Sequence, residues 1–152
     1  MKYIILMIML LAASYVSGQG TTLYNGIVSG SPDTTFHARN KVYNIGGSNF
    51  LLGTYDRDEG AIYGVHLRST EHFSEDDIEK RDSLVLKIKS EYDLIYGPPA
   101  LDRGGYLPFM GSNQYFTIYA WKDEKIILML NIYGRSDNTN IIKIEIYDPK
   151  ML

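Results

Sequence analysis

The chain has 152 residues, 15 Lys and Arg against 18 Asp and Glu, a formal charge of −3, and no cysteine. The acidic balance argues against a nucleic-acid partner, whose phosphates reward a clustered basic surface. The lack of thiols excludes disulfide staples, thiolate chemistry and a lipid anchor on an N-terminal cysteine.

Residues 1–18, MKYIILMIMLLAASYVSG, read as a signal peptide. Lys2 gives a positive start, Tyr3 to Ala13 form an apolar run, and Val16 and Gly18 supply the small residues that a signal peptidase needs, so the processed chain is expected to begin at Gln19. The apolar run covers 11 residues, too short for a helix to cross a hydrocarbon layer about 30 Å thick. The expectation is an exported protein, periplasmic or extracellular, with no membrane association after cleavage. The 134 residues that remain suit one domain and carry 11 of the 13 tyrosines. Tyrosine favours strands and wet contact surfaces alike.

From Thr21 to Gly47 the chain is rich in Gly, Ser, Thr and Asn, and residues 19–49 read as a loose lead-in with one or two edge strands. Residues 50–152 read as a helix-on-sheet domain. Its first two strands, Phe50 to Tyr55 and Ala61 to Ser69, flank the turn Asp56-Arg57-Asp58-Glu59-Gly60. In the second arm Tyr63, Val65 and Leu67 alternate with Ile62, Gly64, His66 and Arg68.

Ser74-Glu75-Asp76-Asp77 is a helix start, with the Ser74 hydroxyl placed to accept from the amide three residues on and three carboxylates at the positive end of the dipole. The helix is predicted to run to about Ile95, with Ile78, Val85, Ile88, Tyr92 and Ile95 as its apolar stripe. Tyr96-Gly97-Pro98-Pro99 ends it. Three more strands follow, Gln114 to Lys122, Lys125 to Tyr133 and Ile141 to Tyr147, and their short connections imply an antiparallel meander. In the last, Ile142, Ile144 and Ile146 point inward and Lys143, Glu145 and Tyr147 outward. The fold class is therefore α+β, one long helix on an antiparallel sheet of four or five strands in the order ββαβββ.

The arm Ala61-Ile62-Tyr63-Gly64-Val65-His66-Leu67, the helix end Tyr96-Gly97-Pro98-Pro99, the aromatic Tyr119-Ala120-Trp121 and the two strands after it resemble a loose class of small exported bacterial proteins of unknown function. The resemblance implies the same helix-on-sheet order and no reaction. Thr21 to Gly47 departs from it, lacking the aromatic and glycine start of the class.

Candidate chemistry is sparse. His37, His66 and His72 are the only histidines, and His66 and His72 lie close to Glu75, Asp76 and Asp77. Two imidazoles and a helix-capping cluster fall short of the three or four ligands that zinc requires, so neither metal nor cofactor is implied. Gly26-Ile27-Val28-Ser29-Gly30 lacks the spacing of a nucleophile elbow. No residue qualifies as catalytic, and recognition is favoured over catalysis. The alternatives are a small secreted hydrolase built on His66, His72 and nearby acids, or an inhibitor or immunity-type protein acting on a secreted enzyme.

The sharper expectation concerns the sheet. If Phe116, Ile118 and Ala120 face the helix, then Tyr115, Thr117, Tyr119 and Trp121 project from the other side, where Tyr133 and Tyr147 join them. Tyr115, Tyr119, Trp121, Tyr133 and Tyr147 are thus the candidate binding residues, for a protein or carbohydrate ligand. Ordinary cross-strand pairing of these rings, or their burial under the N-terminal segment, are the competing readings.

Overall fold

The computed structural model describes residues 20–24, 26–31, 41–56, 60–105 and 107–152. The expected signal peptide, His37 and the charged tip of the first hairpin lie outside the described residues. Strands β1 (Thr22–Tyr24) and β2 (Ile27–Val28) form a small hairpin. Strands β3 (Val42–Ile45), β4 (Ser48–Asp56), β5 (Ile62–Ser69), β6 (Leu101–Asp102), β7 (Tyr115–Lys122), β8 (Ile127–Gly134) and β9 (Asn140–Tyr147) form one antiparallel sheet in the order β3-β4-β5-β9-β8-β7-β6. Helix α1 spans Ile78–Tyr96 and is preceded by a single 3-10 turn at Glu75–Asp77.

Among the described residues the fold is α+β with one helix, as the pattern implies, but the sheet has seven strands rather than four or five. The additional strands are the edges. β3 folds back onto β4, and the two residues of β6, inside the Gly- and Pro-containing loop, pair with Tyr119 and Ala120. The sheet therefore begins before Phe50. Neither edge carries enough alternation to announce itself, because a strand of two to four residues leaves almost no period to read.

The helix start is a capping box, in which the Ser74 side chain meets the Asp77 amide as expected and a reciprocal contact is added. The Asp77 carboxylate reaches back to accept from both the Ser74 amide (3.1 Å) and the Ser74 hydroxyl (2.6 Å). At the far end Gly97 takes a positive φ of 77° and its amide bonds to Asp93 O at 2.9 Å. Leu84, Val85, Ile88 and Tyr92 are buried against the sheet, each apolar side chain contributing about 1.5–3 kcal/mol. Ile95, expected in the stripe, stands 66% exposed.

Arg81 is also fully buried. Its guanidinium donates to Leu107 O (2.9 Å), Pro108 O (3.0 Å), Asn140 Oδ1 (3.0 Å) and Asp82 Oδ1 (2.8 Å). Asn140 in turn accepts from the Met110 amide and donates to Met110 O. This network fastens the 103–113 loop over the end of the core, and each buried donor is matched.

Rows of side chains cross the helix-facing side of the sheet: Leu52, Leu67, Ile144, Leu130, Tyr119 in one, and Thr54, Val65, Ile146, Leu128, Trp121 in the next. Tyr119 and Trp121 belong to these rows, which corrects their expected place on the open side. Between Thr117 and Tyr119 the β7 register slips against β8, so Ile118 is an extra residue and every side chain after it changes face. Trp121, 2% exposed, donates its indole N–H to Asp93 Oδ1 (3.1 Å) and Gly97 O (3.1 Å), tying the sheet to the end of α1. A second slip, between Tyr55 and Asp56, makes Tyr63 the extra residue of β5. It sends Ile62 into the core and Tyr63 to the open side, the reverse of the simple alternation.

Trp121→Ala is expected to lower the unfolding free energy by about 3–5 kcal/mol, as large aromatic truncations in cores do. Tyr133→Ala, on the other side, should cost about 1 kcal/mol or less. Urea denaturation of both variants measures the difference, and a mild Trp121 variant would contradict the placement.

Candidate functional site

The side of the sheet away from α1 is built by the alternate residues of the same strands. Three rows cross it: Tyr55, Gly64, Tyr147, Ile127, Lys122; then Gly53, His66, Glu145, Met129, Ala120; then Leu51, Arg68, Lys143, Asn131, Thr117. Ile141, Tyr133 and Tyr115 form a shorter fourth row. Aromatic and apolar residues thus flank a polar centre.

Two glycines shape the surface. A Cβ on Gly64 would lie 2.5 Å from the Tyr147 ring, and one on Gly53 would lie 2.4 Å from His66 Nε2. The Tyr147 and His66 rings therefore lie flat across the neighbouring strand instead of standing upright. Tyr55, Tyr63 and Tyr147 stack on one another at 5.5–6.1 Å with interplanar angles of 16–26°. Tyr55 also meets His66 at 4.8 Å. The result is a shingled aromatic platform.

Glu145, 8% exposed, is the hub of the polar centre. Its Oε1 accepts from the Tyr55 hydroxyl and lies 2.8 Å from Lys143 Nζ, while its Oε2 accepts from Asn131 Nδ2 at 2.9 Å. Lys143 also donates to the Tyr55 oxygen. Burial alone would raise the Glu145 carboxyl, but the bonds from Lys143 and Tyr55 hold it below the ordinary value. Burial and the adjacent carboxylate push the Tyr55 and Tyr147 phenols up, so both stay neutral donors. His66 is pushed down to about 4, chiefly by burial, then by Lys143, with Glu145 opposing and Arg68 adding to the shift.

A concavity of about 550 Å³ opens over this centre, within the range of small-ligand sites. It is lined by Tyr63, Tyr133, Tyr147, Ile127, Met129 and Leu152, with Tyr115 at the rim and Asn131, Lys143 and Glu145 in its floor. Of the five expected aromatics the structure brings Tyr115, Tyr133 and Tyr147 to this basin and places Tyr119 and Trp121 under the helix. Glu145 and Lys143 were legible from the clean alternation of β9, although the sequence pattern gives them no partner. Tyr63 was not, because its position depends on the register slip.

The histidines do not converge. His66 pairs across the strands with Glu145, near the end of β9, whereas His72 lies 3.8 Å from Asp137 in the turn that precedes β9. Among the described residues no group of three or more His, Asp and Glu side chains is placed to hold a metal ion. Both carboxylate oxygens of Glu145 are already bonded, so it is held as a structural acceptor and not poised as a free base. No helix among the described residues is long and apolar enough to cross a membrane. Comparison with protein-family models, curated proteins and solved structures gives no match.

The neutral His66 carries a pH signature. The unfolded chain takes up this proton near pH 6.5 and the folded chain only near 4, so the unfolded state binds more protons between those values. Stability is expected to be fully present above about pH 6.5 and to fall as the pH approaches 4, with Glu145 adding a further loss below its ordinary value of 4.5. Urea midpoints across this range should show the fall, and His66→Gln should flatten it above pH 4.5.

Proposed function

We propose that the chain, exported and freed of residues 1–18, is a non-enzymatic binding protein that takes its ligand on the sheet face opposite the helix. The basin of about 550 Å³ walled by Tyr63, Tyr133 and Tyr147 carries this reading. Tyrosine rings give a large contact area at the cost of few rotatable bonds, and their hydroxyls tolerate water when the site is empty. The basin offers shape and hydrogen bonds, and its Lys143 and Glu145 side chains are already bonded to one another, which suits recognition without bond-making. Its rings belong to paired strands of a packed sheet, so the site is formed before the ligand arrives.

A neutral, apolar fluorescent probe, N-phenyl-1-naphthylamine, tests the site. The wild-type chain should enhance its emission, and Met129→Arg, which places a long cation in the middle of the basin, should weaken probe binding about tenfold, or 1.4 kcal/mol. Leu94→Lys, at a residue 89% exposed on the helix, should leave it unchanged. Equal binding by all three proteins, with melting temperatures matched, would defeat the reading.

A further inference from the structure

We infer that the ligand of this face is a neutral oligosaccharide; the inference rests on the binding reading above and adds the chemical class. Three observations converge on it. Among the described residues the charged side chains lining the basin are Lys143 and Glu145, and they are paired at 2.8 Å, so this lining presents no net charge from its side chains. A charged ligand would find each charge of the floor already engaged by its opposite.

The second observation is a matched donor and acceptor. Asn131 is 1% exposed, donates its Nδ2 to Glu145, and leaves its Oδ1 without a hydrogen-bond partner among the described residues. Lys143 stands directly opposite it across β8 and β9, and the bonds to Glu145 and Tyr55 use two of its three ammonium protons. A buried acceptor beside a spare donor is the complement of a hydroxyl, which gives one proton and accepts another.

The third is the spacing of the rings. Tyr147 and Tyr63 stand at one end of the basin, Tyr133 and Tyr115 at the other. Tyr147 and the row of Tyr133 are six residues apart along β9, about 20 Å at about 3.3 Å per residue. That separation exceeds one sugar ring, so a linear ligand can lay C–H faces on the tyrosines at both ends and turn its hydroxyls to Asn131 and Lys143 between them. A peptide backbone would instead seek the unpaired groups of a strand edge, and this site is a sheet face.

Nuclear magnetic resonance titration of the processed chain with maltotriose, cellotriose and N,N′,N″-triacetylchitotriose tests the inference. At least one of the three should shift the signals of Met129, Asn131, Lys143 and Tyr133 in a saturable way. Asn131→Leu and Tyr133→Ala should each weaken that saccharide about tenfold. Tyr133 is half-buried at the rim, so its variant remains informative if the Asn131 variant fails to fold. Silence toward all three saccharides, with the fluorescent probe still bound, would overturn the saccharide assignment and leave the binding reading standing. The same signals responding to tri-alanine amide instead would overturn it in favour of a peptide. Silence toward saccharides and fluorescent probe together would remove both.

Discussion

One helix cannot cover seven strands. Six inter-strand spacings of about 4.8 Å make the sheet about 29 Å wide, and a helix with its side chains is about 10–12 Å across. The rest of the structure follows from this shortfall. The core side of the sheet is completed by whatever else the chain can bring: the β1–β2 hairpin, whose Leu23 and Ile27 join the core, and the 103–113 loop, whose Leu107 and Met110 pack against it. Loops carry backbone carbonyls that must be satisfied when they cover a core. Arg81 and Asn140 supply those partners, which explains a fully buried guanidinium on a helix face that otherwise carries apolar residues.

Among the described residues the far side of the sheet carries no second layer of helix or strand. A sheet side without a second layer normally carries dispersed polar residues. Here it carries tyrosines around a buried carboxylate, with Lys143, Tyr55 and Asn131 bonded to Glu145 from neighbouring strands. Those bonds cross the sheet, so they hold the floor of the basin rigid and keep its charges internal. The glycines at 53 and 64 do the complementary steric work, lowering the surface so that His66 and Tyr147 can lie across it.

Register slips decide which aromatic residues serve the core and which serve the surface. Without the extra residue at Ile118, Tyr119 and Trp121 would stand beside Tyr115 on the open side, and the helix would lose the indole that ties Asp93 and Gly97 to the sheet. Without the slip at Asp56, Tyr63 would point into the core and the platform with Tyr55 and Tyr147 would lose a ring. Each slip is a one-residue event with a whole-face consequence, because the side-chain period of a strand is two.

What the chain order settles by itself is local. The helix of Ile78–Tyr96, its glycine end, the meander of β7 to β9 and the two faces of β9 follow from spacing, capping chemistry and turn residues within a few positions of each other. Tyr133 and Tyr147 fall on the open side for the same reason. The short edge strands, the burial of Arg81 and the reassignment of Tyr63, Tyr119 and Trp121 belong to the tertiary structure. They depend on which strand lies alongside, since a bulge forms where two pairing registers must be reconciled, and that partner is tens of residues away in the chain.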